Sequence, residues 1–233
     1  MIIRNIGPPR IYLPSKRRIG DERPDVMLIQ GFATGGRAME WIARDLSAQG
    51  LECTVPRARG LLGYLQTKRV AKAAAGVAKL LRDRPGPRRT WLIGHSIGGI
   101  IARHVVQMQD HGDAVAGVIT IGSPHRGTAM AILGTALGLW IVSRSALDVT
   151  PRARVLRQLN GLPWPDDVPL VSVFSRTDLL CPHRSSVVPI AGPSIRMVEV
   201  PGLGHTELLW NRSSRDIVVS AVLDGRPSHA KET

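Results

Sequence analysis

Gly94-His95-Ser96-Ile97-Gly98 fits the pattern G-x-S-x-G, and the chemistry open to such a segment is nucleophilic attack by the serine hydroxyl. The pattern alone is a weak signal in a chain with 24 glycines, but its surroundings strengthen it. An apolar strand, Thr90 to Ile93, precedes it, and a helix, Ile100 to Gln109, follows. A tight strand-to-helix turn there lifts the hydroxyl clear of a sheet, and the helix N-terminus offers positive dipole to a developing oxyanion. Gly94 and Gly98 flank the turn, where side chains would clash with the neighbouring helix and strand.

A serine hydroxyl is a poor nucleophile without a base. His205, in Pro201-Gly202-Leu203-Gly204-His205, falls just past the last strand and before the final helix, so its loop can present an imidazole at the sheet edge. Asp178 lies four residues after Phe174, the end of the preceding strand. An acid there would hold the imidazole tautomer and stabilise the imidazolium. Asp148, Asp166 and Asp167 are its rivals, and none directly follows a strand. The oxyanion needs two backbone donors, for which the N–H groups of Ile97 and of Phe32, in Gln30-Gly31-Phe32, are the candidates. No catalytic role falls to His95, His104, His111, His125, His183 or His229, and the residues imply no metal and no cofactor.

The elements that must position these groups alternate. Strands are expected over Val26–Ile29, Leu51–Val55, Thr90–Ile93, Val115–Ile121, Leu170–Phe174 and Ile195–Val200. Helices are expected over Arg37–Gln49, Thr67–Arg82, Ile100–Gln109 and Thr206–Leu223. Strands apolar on both faces and separated by helices imply an α/β protein: a mostly parallel sheet of about six strands, covered on both sides. Ala129 to Pro169 breaks the rhythm with an apolar stretch, Ala129 to Val142, and a helix-like piece around Arg152 to Leu159. Residues 129–168 therefore read as a small cap or lid. Its apolar stretch could line an acyl-chain site, move as a lid, or simply pack as core. Residues 1–25 read as an irregular arm, 26–224 as a single domain, and 225–233 as a tail.

Three further segments carry a family resemblance. Ser123-Pro124-His125-Arg126-Gly127-Thr128 resembles the SPHxG[ST] segment of bacterial triacylglycerol lipases and related hydrolases. Ser175 to Pro182 resembles their acid loop, and Gly204 to Leu209 their histidine loop. With the Ser96 turn, the resemblance spans roughly residues 26 to 222 and implies the α/β-hydrolase fold, with catalytic residues in the order Ser96, Asp178, His205. The implied activity is cleavage of acyl esters or lipids through an acyl-enzyme. Acyltransferase, thioesterase and amidase chemistry share the same machinery, and a non-catalytic binding protein on the same fold is the reading from another class. The chain departs from the family in having Gln30-Gly31 where His-Gly is usual.

Composition sets the remaining bounds. The 233 residues suit one domain, and 43% are hydrophobic. The net charge is +13, but the basic residues are dispersed, with the densest groups at Lys16-Arg17-Arg18 and between Arg82 and Arg89. No nucleic-acid motif accompanies them, so no nucleic-acid partner is expected. The charge does allow weak association with an anionic membrane surface. Cys53 and Cys181 make no disulfide framework. No signal peptide or membrane span is evident, so the expected location is cytoplasmic.

Overall fold

The computed structural model describes residues 10–13, 25–32, 35–56, 69–84, 89–109, 112–136 and 144–225. Among them, seven strands form one sheet: β1 (Arg10–Tyr12), β2 (Asp25–Ile29), β3 (Cys53–Val55), β4 (Thr90–His95), β5 (Val115–Ile121), β6 (Leu170–Phe174) and β7 (Ile195–Glu199). Their order is β1-β3-β2-β4-β5-β6-β7. All neighbours pair in parallel except β1, which runs antiparallel to β3.

The connecting helices are α1 (Gly35–Ala48), α2 (Val70–Arg82), α3 (Ile97–Met108), α4 (Ala129–Ala136), α5 (Arg154–Gly161), α6 (His183–Ser186), α7 (Glu207–Trp210) and α8 (Arg212–Leu223). Side-chain alternation along the strands divides the interior into two cores. Met27, Ile29, Leu92, Val118 and Leu170 pack with α2, α3 and α5 on one face of the sheet. Val26, Leu28, Trp91, Ile93, Ile119, Ile121, Val171 and Val173 pack with α1, α7 and α8 on the other. Burial on both faces is why these strands read as continuous apolar runs rather than as alternating ones.

Two expectations change. Part of the supposed irregular arm is β1, which pairs Arg10 with Val55, Ile11 with Thr54 and Tyr12 with Cys53. Three residues at a sheet edge carry too little periodicity to be read locally; the pairing comes from β3. The single final helix is two helices. Asn211 has extended backbone between them, and its side chain caps the second by accepting from Ser213 N–H at 2.9 Å. Thr67 and Lys68, expected at the start of the second helix, lie outside the described residues, as do residues 137–142 of the apolar stretch, Lys16-Arg17-Arg18 and residues 226–233. Among the described residues no helix is long and apolar enough to cross a membrane.

The chain runs from β2 through α1 to β3 on one side of β2, then returns through α2 to β4 on the other. A crevice at the carboxyl ends of β2 and β4 follows from that reversal. There the packing is closest. A Cβ at Gly94 would run into the backbone of Gly98, and one at Gly98 into the Ile29 carbonyl. Neither neighbour can rotate away, because both are main chain. Gly98→Ala should therefore lower unfolding stability by about 3 kcal/mol, and the melting temperature by roughly 6–12 °C, measured by calorimetry. An unchanged melting temperature would show that α3 can shift off β2.

Candidate active site

Ser96 is the turn between β4 and α3. Its φ of 54° lies in the left-handed region, and it is the non-glycine residue with positive φ among those described. Its N–H donates to Ile121 carbonyl at 2.9 Å, tying the turn to the neighbouring β5. Ile97 opens α3, so its N–H belongs to the first turn, where helices have no internal acceptor. Gly31, after β2, lies against this turn: a Cβ there would come within 2.8 Å of Ser96 Cβ and 2.9 Å of the His95 carbonyl. Phe32 follows it and packs on the core that holds α3. Of the two candidate oxyanion donors, Ile97 directly follows Ser96, and Phe32 directly follows Gly31, the residue that lies against the turn.

Asp178 and His205 come from the loops after β6 and β7. They meet at 2.7 Å between His205 Nδ1 and Asp178 Oδ2. Asp178 is buried, and its other oxygen accepts from the N–H groups of Leu180, at 2.9 Å, and Cys181, at 2.8 Å. Both carboxylate oxygens are therefore committed, and the carboxylate is fixed in orientation. With Nδ1 donating to Asp178, the other ring nitrogen of His205, Nε2, keeps its lone pair. Of the rival acids, Asp148 is taken up by Arg69, at 2.6 Å, and by Val70 N–H, at 2.8 Å. Asp167 lies 4.0 Å from Arg89. The described residues give Asp166 no contact with this loop cluster.

Two groups that sequence reasoning passed over sit in the same place. Cys181 is a buried free thiol, and its backbone N–H donates to Asp178 Oδ1, so it sits beside the acid. Burial first, and then the Asp178 carboxylate, push its pKa well above the ordinary thiol value, so it stays a neutral S–H rather than a rival nucleophile. Its sulfur, an Asp178 oxygen and a His205 nitrogen lie within 4.8 Å of one another, a set able to ligate a soft cation if the carboxylate gave up its present hydrogen bonds. The signal in the sequence was its spacing: the loop folds back on Asp178 at i+3, which a lone cysteine does not announce.

His95 is the other. It is buried, its ring lies 4.6 Å from that of His205, and its Nε2 is 3.2 Å from the His205 carbonyl. Nε2–H must be the donor, and Nδ1 then has no partner among the described residues. Burial, reinforced by the neighbouring His205, holds the His95 pKa down at about 3. His95 is therefore a neutral prop under the histidine loop.

A second buried network stands behind the site. Arg103 of α3 is fully buried and donates to His125 Nδ1 at 3.2 Å, Asn160 Oδ1 at 3.1 Å and the Leu159 carbonyl at 3.2 Å. Since His125 Nδ1 accepts, its Nε2–H faces Thr120 Oγ1 at 3.1 Å. Burial, and then Arg103, keep His125 neutral. Burial also lowers the Arg103 pKa, to about 10. The network joins α3, the segment after β5 and α5. Beside it, Ser123 fills the space over Gly99, where a Cβ would strike its side chain.

A family model for the PGAP1-like alpha/beta domain matches residues 60–142. The GPI inositol-deacylase of Candida albicans is 25% identical over 165 residues, which is 68% of this chain. The chain spans about a third of that relative's length, 35%. Among solved structures, the mature lipase BlEst2 of Bacillus licheniformis superposes with a TM-score of 0.74 at 14% identity, covering 92% of this chain and 98% of that one. The Mar Chica sediment metagenome enzyme MGS-MChE2, described as an alpha/beta hydrolase, gives 0.66 at 13% identity, covering 95% and 97%. The chain has the α/β-hydrolase fold. The monoacylglycerol lipase of Paleococcus ferrophilus shares this fold with a TM-score of 0.66 at 12% identity, covering 93% of this chain and 98% of that one. Ser96, Asp178 and His205 all follow the carboxyl ends of strands of this sheet, β4, β6 and β7.

The buried histidines make stability depend on pH. In the folded state His95, His104 and His125 all titrate below the unfolded value of 6.5, chiefly because of burial. Below pH 6.5 the unfolded chain binds more protons than the folded one, so stability is full above that value and lost as pH falls. Each such histidine contributes up to about 1.4 kcal/mol per pH unit between its two pKa values. Urea unfolding at pH 7.0, 6.0 and 5.0 should show a falling midpoint, and His95→Gln should flatten the slope by one proton's share. A slope unchanged in that variant would mean that His95 is protonated in the folded state.

Proposed function

We propose that this chain is a serine hydrolase that cleaves carboxylic esters by a two-step acyl transfer. The observation that carries the reading is the 2.7 Å pair of His205 with the fully committed Asp178, held at the same sheet edge as the strained Ser96 turn. Ser96 is the nucleophile. His205 Nε2 takes its proton as Oγ bonds to the carbonyl carbon, and the charge on the carbonyl oxygen is met by the N–H groups of Ile97 and Phe32. Collapse of the tetrahedral intermediate breaks the bond to the alcohol, which leaves with the proton from His205. Water then attacks the acyl-enzyme with His205 again as base, releasing the acid and restoring Ser96. Asp178 keeps Nδ1–H pointing at itself and balances the imidazolium charge in each step.

Cys181 fits this reading as a neutral wall of the site: its N–H helps to fix Asp178, and burial keeps its thiol protonated. The segment 129–168, which holds α4 and α5 and falls between β5 and β6 in the chain, is the cap of this reading. Lipid-borne acyl groups are the favoured substrate class. The fungal relative is named for removing an acyl group from a lipid-anchor inositol, and lipases are among the structural neighbours.

Ser96→Ala and His205→Ala should each lower kcat/KM on a chromogenic acyl ester by at least about 10⁴-fold, and Asp178→Asn by a similar order. A fluorophosphonate should label wild-type protein stoichiometrically and Ser96→Ala not at all. Undiminished turnover in Ser96→Ala would remove the assignment. A scan of p-nitrophenyl esters from acetate to palmitate then sorts esterase from lipase: a rate peaking at acetate would exclude a long acyl chain.

A further inference from the structure

The loops around the site build a face that the proposed chemistry does not use. Three segments are stitched together there. Thr128 N–H donates to the Val149 carbonyl at 2.9 Å, and Arg126 N–H to the Ser185 carbonyl at 3.0 Å. Ser185 Oγ returns a bond to the Gly127 carbonyl. Thr128 Oγ1 donates to the Leu180 carbonyl at 2.6 Å while accepting from Met130 N–H at 3.2 Å. Gly127, at φ 80°, lies against Pro151, where a Cβ would come 2.5 Å from Pro151 Cα. The acid loop, the start of α4 and the approach to α5 are therefore one continuous surface.

That surface combines two features rarely left to water together. Leu179 is 82% exposed and Leu180 44%, directly after the acid, and Met130 at 41% stands beside them at the start of α4, joined to Leu180 through Thr128. Scattered apolar residues on a surface need no explanation, but these share one hydrogen-bonded junction. The charge is one-signed. Residues 123–136, 149–162 and 179–194 hold Arg126, Arg152, Arg154, Arg157 and Arg184 and no Asp or Glu, and all five arginines are exposed. The acids that border these segments face inward: Asp148 holds Arg69, and Asp178 holds His205.

We propose that this face docks the protein on an anionic lipid surface, with Leu179, Leu180 and Met130 entering the interface and the arginines meeting headgroup phosphates. Exposed apolar side chains inside an arginine rim are the complement of such a surface: apolar just below its plane and negative upon it. A protein partner would have to match both features over the same area, and nucleic acid would leave the leucines unused. Docking would bring the loop that carries Asp178 to the bilayer, since Leu179 is the next residue after it.

The test is vesicle sedimentation of the Ser96→Ala protein, so that its outcome does not depend on which bond the site cleaves. Vesicles of phosphatidylcholine with 30% phosphatidylglycerol and vesicles of phosphatidylcholine alone are compared at about 0.1 M salt. Binding is expected to the anionic vesicles at least tenfold above the neutral ones, with release at about 1 M salt. Leu179→Ser and Arg184→Glu should each lower it about tenfold. The same substitutions in active protein should leave hydrolysis of soluble p-nitrophenyl butyrate within about twofold and the melting temperature unchanged, which shows that the loop is intact. Failure of the parent to bind anionic vesicles, or equal binding by Leu179→Ser, overturns the proposal. The latter result would mean attraction by net charge alone, and retention on heparin that Leu179→Ser does not alter would agree with it.

Discussion

At Ser96 the main chain turns out of β4 with φ at 54°, a conformation that costs a non-glycine residue on the order of 1–3 kcal/mol. The surroundings over-determine it. Ser96 N–H is held by the Ile121 carbonyl, and Gly31, Gly94, Gly98 and Gly99 each leave room for a neighbour that a methyl group would displace. The strain and the close packing are one device: α3 lies so near β2 and β4 that the chain can enter it only through this turn. The turn projects the hydroxyl at the sheet edge and brings the Gly31 loop against it.

Around that fixed point the structure assembles neutral, buried polar groups. Cys181 is a thiol and His95 and His125 are uncharged imidazoles, all desolvated. In a site of low dielectric, a charge left without compensation is costly, so neutrality here leaves Asp178 as the fixed charge nearest His205. Arg103 is the exception on the far side of α3. It is satisfied by carbonyl, amide and imidazole acceptors, and it binds the segment after β5 to α5. Helix α3, the segment after β5 and α5 are therefore tied to one another behind the turn.

Much of the fold was legible because the strands are buried on both faces and so read as plain apolar runs. Val115–Ile121 and Leu170–Phe174 match their expected limits, and the other central strands shift by a residue or two. The start of α3 did not match. It begins at Ile97, inside the glycine-rich motif, because close packing on the sheet outweighs the low helix propensity of Gly98 and Gly99. β1 and the break at Asn211 also escaped. One exists through pairing with β3, the other through a side-chain cap, and neither leaves a periodic trace.

The sequence alone determined which residue types were available at the sheet edge and in what order: a serine in a glycine-flanked turn, then an aspartate, then a histidine, each placed after an apolar strand. Local pattern suffices for this because strands and turns are short-range structures. Only the tertiary structure decided which acid meets the histidine, that Cys181 N–H is held by Asp178, that His95 supports the His205 loop, and that Arg103 lies buried behind the site. Those contacts join residues from 22 to 110 positions apart, or in the case of Cys181 follow from a loop folding back on itself. They depend on parallel strands bringing their carboxyl ends to one edge, and a one-dimensional pattern carries no record of that meeting.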